Sequence, residues 1–157
     1  MSTVVYRIGH AAAATVEDQA YGSTLFAGRW HTVRPGPHSR RVIYAAANRA
    51  LAQLEKRVHA NGVAPVNQAL FALTLPSDAE IQTAEALGLA PRWRHDMAVS
   101  QAFDNAWLDR VVGLALWVPS FVEPGEMNIL IHPDHPRIGD VTLKVERNPF
   151  VFDPRLI

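Results

Sequence analysis

Residues 42–62 read Val42-Ile43-Tyr44-Ala45-Ala46-Ala47-Asn48-Arg49-Ala50-Leu51-Ala52-Gln53-Leu54-Glu55-Lys56-Arg57-Val58-His59-Ala60-Asn61-Gly62, a short apolar run followed by an amphipathic one. Val42 to Ala45 is β-branched and aromatic, which favours a strand. Asn48 suits the start of a helix because its side chain can accept a free first-turn amide. Asn61-Gly62 suits the end, where a left-handed backbone is needed. Ala47, Leu51, Leu54 and Val58 form the predicted apolar stripe. At 100° per residue Glu55 falls roughly 80° from the centre of that stripe, while Lys56 and Arg49 lie nearly opposite it. A carboxylate on this shoulder either enters a cleft while its helix stays docked or pairs with a neighbour at the surface.

Outward from this segment, Thr3 to Ile8 and Gln68 to Leu75 read as strands. Tyr21 to His31 is punctuated by glycine and leads into a loop through Pro35-Gly36-Pro37, the kind of segment that often carries chemistry. Ser77-Asp78-Ala79-Glu80 has capping-box spacing and predicts a short helix to Leu87 or Gly88. A second amphipathic helix is expected from about Ser100 to Val112, with Phe103, Trp107 and Val111 on one face and Gly113 after it. Leu114 to Val118, Asn128 to Ile131, Val141 to Val145 and Phe150 to Phe152 complete the expected strands. Helices set among many short strands predict an α+β fold, a mixed sheet with flanking helices in one domain spanning residues 1–157.

At 157 residues the chain can bury a full core without staples. It contains no cysteine, which excludes disulfides, thiolate metal sites and a cysteine nucleophile. Without an N-terminal apolar targeting segment or a membrane-length apolar run, the expected location is the cytoplasm. Net charge is +0, lacking the basic excess that phosphate-backbone binding needs, so nucleic acid is not an expected ligand. The charge is nonetheless uneven. Residues 1–60 hold eight basic groups, seven of them arginine, against Glu17, Asp18 and Glu55. Arginine's planar fork suits carboxylate and phosphate oxygens, so this third either holds a small anionic ligand or presents a solvated basic face to an acidic partner.

Dinucleotide-fold, P-loop, hydrolase-elbow and zincin motifs are all absent. His132-Pro133-Asp134-His135-Pro136 offers either two imidazole metal ligands or a proline-stiffened turn, and the prolines favour the turn. Asp153 and Arg155 read as a C-terminal anchor.

The blocks occur in a telling order. Tyr6-Arg7 is followed by Gly28-Arg29-Trp30-His31, Val42-Ile43-Tyr44 and Ala50-Leu51-Ala52-Gln53-Leu54-Glu55 with His59. Then come Val118-Pro119-Ser120, Asn128-Ile129-Leu130 with His132-Pro133 and His135-Pro136, and Pro149-Phe150-Val151-Phe152-Asp153-Pro154-Arg155-Leu156. Across nearly the whole chain this resembles the RES-domain family, named for Arg, Glu and Ser. The resemblance implies a fold similar to ADP-ribosyltransferase toxins. It also implies the toxin half of a toxin-antitoxin pair, with an Xre-like helix-turn-helix antitoxin and a toxin homodimer within the complex. NAD+ is the implied substrate and no metal is implied. Either NAD+ is broken down to nicotinamide and an ADP-ribose product, with phosphate or water as acceptor, or ADP-ribose passes to a protein.

Carried over by that resemblance, Arg29 is the family arginine, Glu55 the glutamate and Ser120 the serine, with Arg7 and Tyr44 at further site positions. The link from His31 to Val42, bearing Arg34, Arg40 and Arg41, is longer than the family's usual one, and His132 stands where the family often has Asn. The chemistry suits these residue types. Cleavage at the ribose builds oxocarbenium character, while nicotinamide leaves as a neutral base, so one carboxylate suffices. Glu55 would stabilise that charge or help activate the acceptor, Arg29 and Arg7 would grip the diphosphate, Tyr44 would stack on or orient the nicotinamide end, and Ser120 would supply a hydrogen bond. Each residue also has a structural reading: Arg7 paired with a buried acid, Arg29 stacked on Trp30, Tyr44 in the core and Ser120 capping a turn. A non-catalytic module gripping a nucleotide or an acidic partner is the reading from another class. The catalytic one requires Glu55 to meet Arg7 and Arg29 across a shared hollow.

Overall fold

A computed structural model describes all residues, 1–157. Its centre is one sheet of seven strands in the order β4-β5-β6-β2-β1-β3-β7. These are β1 (Thr3–His10), β2 (Ile43–Ala46), β3 (Gln68–Leu75), β4 (Ile81–Thr83), β5 (Ala115–Pro119), β6 (Met127–Ile131) and β7 (Thr142–Phe150). Every neighbouring pair is antiparallel except β4 with β5. Three α-helices accompany it: α1 (Tyr21–Leu25), α2 (Arg49–His59) and α3 (Met97–Arg110). The fold is α+β, and no helix is long and apolar enough to cross a membrane.

The sheet has a seam. β1 and β3 pair over eight residues, and β2 and β6 over four, but β1 and β2 share only Tyr6 with Ala46. One face carries Val5, Ile43, Ala45, Leu73, Leu75, Ile129 and Ile131, packed with Ala20 and Val141. Because strand side chains alternate, the other face carries Tyr6, Ile8, Ala46, Leu116, Val118 and Leu130. There α2 covers Ile8, Ala46 and Leu70, while Trp30, Trp93, Trp107 and Leu108 cover Leu116, Val118 and Leu130.

The α2 boundaries follow from the caps. Asn48 is extended and its side chain accepts from Leu51 N at 2.8 Å, while Asn61 and Gly62 take positive φ after the last turn. The packed face is not the one the apolar stripe predicts. Leu51 and Ala52 are buried, whereas Leu54, beside Leu156, and Val58 are exposed. α2 is rotated so that Glu55 and Lys56 continue the inner face, and Lys56 is half-buried instead of pointing to solvent.

Three further expectations are corrected. Ser77 to Glu80 forms a turn, not a helix start, because Ile81 to Thr83 pair in parallel with Ala115 to Trp117 and Leu114 N donates to Glu80 O. The second long helix begins three residues earlier than predicted, where Asp96 caps Ala98 N, and it ends at Val111 in left-handed backbone with that side chain exposed. The two predicted C-terminal strands are one, β7, which runs beside β3 through two irregularities and leaves Val151 and Phe152 outside the strand.

The inner face of α3 includes Asp104, fully buried, with neither carboxyl oxygen hydrogen-bonded. Burial holds this carboxyl well above the usual carboxylate range, opposed only in part by Arg40. A proton retained in the folded state above the unfolded Asp value of about 3.9 means that stability is lost as pH rises past that point. Asp104→Asn removes the titration. It should raise Tm relative to wild type at pH 8, with the gain shrinking to nothing as pH falls below about 4; thermal unfolding followed across pH tests this, and parallel curves would refute it.

Candidate active site

Glu55 sits on the inner face of α2, one turn beyond Leu51 and Ala52, above the edge of β6 and the end of β5. Its Oε1 accepts from Ser120 Oγ at 2.8 Å and from Asn128 Nδ2 at 2.7 Å. Its Oε2 has no protein donor. Ser120, fully buried just past β5, also accepts from Glu123 N at 3.0 Å, so it caps a turn and anchors the carboxylate together. Alternation along β6 places Asn128 on the same face as Leu130, and hence toward α2.

Arg29 lies against this cluster. Its guanidinium stacks over the Phe121 ring at 3.6 Å and donates to no protein acceptor, so Phe121 fills the role expected of Trp30. Desolvation lowers its pKa, Glu55 pulls it back up and Arg94 pushes it down, which places both of those charges within electrostatic reach. The segment carrying Arg29 is fixed by α3: Ser100 Oγ donates to Arg29 O at 2.6 Å and Gln101 Nε2 to Gly28 O at 2.9 Å. Asn105 bonds both Thr32 N and Thr32 Oγ1. Gly28 is required here because a Cβ would stand 2.6 Å from the Tyr44 hydroxyl.

Tyr44 is committed to a buried partner. His31 Nε2 meets Ser23 O at 2.8 Å and so carries the proton, which leaves Nδ1 to accept from the Tyr44 hydroxyl. Burial lowers the His31 pKa and, with Asp104, raises that of Tyr44, so both stay neutral near pH 7. Arg7 pairs with no acid. It reaches the seam from the Val5 side of β1, where Nη1 donates to Tyr44 O and Nε to Gln19 Oε1, both at 2.9 Å. Desolvation lowers the Arg7 pKa, and the Lys56 pKa falls through desolvation and then through Arg7.

The structure therefore joins Glu55 and Ser120 by a hydrogen bond and brings Arg29, seated on Phe121, within electrostatic reach of Glu55, whereas Arg7 and Tyr44 bond to each other at the seam and do not contact Glu55. Sequence reasoning missed Asn128 as a partner of Glu55, as well as Arg94 and the α3 side chains. Asn128 was recoverable from its alternation with Leu130; the others depend on chain segments brought together only by folding.

The Arg34–Arg41 segment lies apart. Arg34 and Arg40 pair with Asp109, and Arg41 with Glu17 and Asp134, around a polar cavity of about 380 Å3. His132 and His135 are turn elements: Nε2 of each meets a carbonyl near the end of α3, and Nδ1 of each accepts a backbone amide. No group of three or more metal-ligating side chains is present. Asp153 caps the last turn and holds Arg155.

An α+β sheet with a carboxylate fixed by a hydroxyl and an amide, edged by guanidinium groups without counter-ions, defines a protein with a carboxylate-centred polar site suited to an anionic ligand. The chain belongs to the RES domain family, whose pattern matches residues 4–153. It is 33% identical to the "Prs ADP-ribosylating toxin" of Sphingobium sp. (strain YBL2), over 100% of this chain and 98% of the relative. A "Toxin Res" from Yersinia enterocolitica is 31% identical over 87% of this chain and 88% of its own, and another from Photorhabdus laumondii 24% over 98% and 97%.

Asn128→Asp would set a second carboxylate against Glu55 Oε1. Two ionised carboxylates cannot share that contact, so we expect a loss on the order of 1–3 kcal/mol at about pH 8, smaller at about pH 4, where a proton shared by the pair restores the bond. Urea unfolding at the two pH values measures it, and a pH-independent loss would show that Glu55 is not held as described.

Proposed function

We propose that this chain is a toxin enzyme that cleaves the nicotinamide–ribose bond of NAD+ and passes ADP-ribose to phosphate or water, depleting NAD+. The observation that carries this reading is the Glu55 carboxylate, with Oε1 immobilised by Ser120 and Asn128, Oε2 free and Arg29 alongside. The names of the relatives, an ADP-ribosylating toxin and two Res toxins, support it.

In this reading NAD+ is the substrate, with its diphosphate gripped by Arg29 and its ribose placed under Glu55. The C1′–N1 bond breaks with its electron pair going to nicotinamide, which leaves neutral and needs no proton. Positive charge then develops at C1′, and Glu55 Oε2 stabilises it electrostatically; fixing Oε1 in advance means that no reorganisation is needed during reaction. A phosphate oxygen, or a water oxygen whose proton passes to bulk solvent, forms the new bond to C1′. Arg7 and Tyr44 shape the seam beneath the substrate, and Ser120 acts by orienting Glu55, not as a nucleophile. Such a toxin calls for restraint in the cytoplasm, and the proposal includes an Xre-like helix-turn-helix antitoxin and a toxin homodimer within that complex.

A second reading, mono-ADP-ribosylation of a protein, is favoured by the name of the Sphingobium relative. Both share the first bond broken. Purified protein given NAD+, with and without phosphate and with cell extract, separates them: a phosphate-dependent small product supports the first, a labelled protein band the second, and no nicotinamide release rejects both. Glu55→Gln should reduce nicotinamide release by about 100-fold or more while circular dichroism stays unchanged. Undiminished turnover in that variant would reject the role given to Glu55.

A further inference from the structure

Two places concentrate arginine, and they differ in one respect. Around the polar cavity, Arg34, Arg40 and Arg41 are each bound to carboxylates, so their charge is already spent within the molecule. At the Glu55 site the second arginine is Arg94, in the turn Pro91–Arg94 before α3. Neither it nor Arg29 forms an ion pair. Arg94 lies over the Trp93 ring at 4.5 Å, Trp93 meets Phe121 edge-on at 6.2 Å, and Phe121 carries Arg29 at 3.6 Å. One nitrogen of Arg94, Nη2, donates to Ser120 O at 3.1 Å, and its Nε and Nη1 have no acceptor. Two like charges thus sit over linked aromatic rings within electrostatic reach of each other, and Glu55 is the carboxylate that acts on Arg29. Such a pair is unfavourable when empty and becomes favourable when an oxyanion sits between the forks.

We propose that Arg94 is a second anion-binding residue, which with Arg29 grips a phosphate group on the Ser120 side of Glu55. This deepens the reading above and rests on it for the identity of the ligand: the phosphate belongs either to the dinucleotide's diphosphate or to the inorganic phosphate acceptor. The stack pre-orders both guanidinium groups, so little side-chain freedom is lost on binding.

The test titrates the full-length protein with inorganic diphosphate and, separately, with inorganic phosphate, comparing wild type with Arg94→Gln and with Arg92→Gln, an exposed arginine of the same turn. Arg94→Gln should weaken binding of at least one anion by about tenfold or more, the loss of one charge-assisted contact, with Arg92→Gln unchanged. In turnover assays a raised KM for NAD+ with kcat retained assigns the site to the diphosphate, and a raised KM for phosphate assigns it to the acceptor. Wild-type affinity for both anions in a folded Arg94→Gln protein, or an equal loss in Arg92→Gln, would overturn the proposal, as would wild-type protein that binds neither anion. If Arg94→Gln does not fold, Arg94→Lys takes its place: it keeps the charge but loses the planar fork, so several-fold weaker binding supports the proposal and unchanged binding overturns it. Anion binding that depends on Arg94, in a protein that never releases nicotinamide, would sustain this inference while rejecting the proposed reaction.

Discussion

The single shared pair between β1 and β2 is the constraint from which the site follows. Where two strands of a sheet diverge, the backbone groups that would have bonded across the gap need other partners or must stay wet. Here Tyr44 O is satisfied by the Arg7 guanidinium, which is braced in turn by Gln19. A guanidinium suits this post because it supplies several fixed donors, although its desolvation is costly. The seam turns what would be a closed sheet centre into a polar floor. α2 enters straight from β2 at Asn48 and is docked by Leu51 and Ala52 on Ile8 and Leu70, so its next turn carries Glu55 to the edge of that floor.

The second requirement is a fixed arginine that touches nothing polar. Arg29 meets it because the backbone around it, not its own side chain, is bonded. Ser100, Gln101 and Asn105 each turn a side chain of α3 toward residues 28–32, while Trp30 anchors the middle of that segment against Trp93. The guanidinium rests on Phe121 with its donors unused. Positioning of this kind places a binding group at low entropic cost while leaving its hydrogen-bonding capacity for a ligand.

These relations explain what could be read in advance. The Asn48 cap, the Gly62 stop and β3 depend on local chemistry, and they stand where the residues indicate. The packed face of α2 differs from the apolar stripe because Leu51 and Ala52 dock with Ile8, Ala46 and Leu70, a seat that leaves Leu54 and Val58 outside and turns Glu55 toward Ser120 and Asn128, partners that apolarity alone cannot reveal. Ser77 to Glu80 has a helix-start pattern, yet pairing of Ile81 to Thr83 with β5 outweighs a local preference worth about 1 kcal/mol. Glu55, Ser120 and Arg29 were found as a set only through their order in a family pattern. Asn128 and Arg94 needed the register of β6 and the stacking of Trp93 on Phe121, neither of which a linear pattern contains.

The basic bias of the first sixty residues resolves in the same way. Arg34 and Arg40 are answered by Asp109, Arg41 by Glu17 and Asp134, and Arg49 by Glu146, so most of that excess is balanced by acids from later in the chain. Ion pairs at a solvated surface contribute little to stability, so those of Arg34, Arg40 and Arg41 set the course of the long Arg34–Arg41 link more than they stabilise the fold. Arg57 is taken by Leu156 O. Arg7, Arg29, Lys56 and Arg57 have no carboxylate in contact: Arg7 and Arg57 are bonded to backbone carbonyls, Lys56 is half-buried next to Glu55 on α2, and Arg29 is within electrostatic reach of Glu55. The asymmetry in the sequence is therefore two different things: ion pairs to acids from later in the chain, and a few cations without a carboxylate partner, among them Arg29, whose donors are unused beside Glu55.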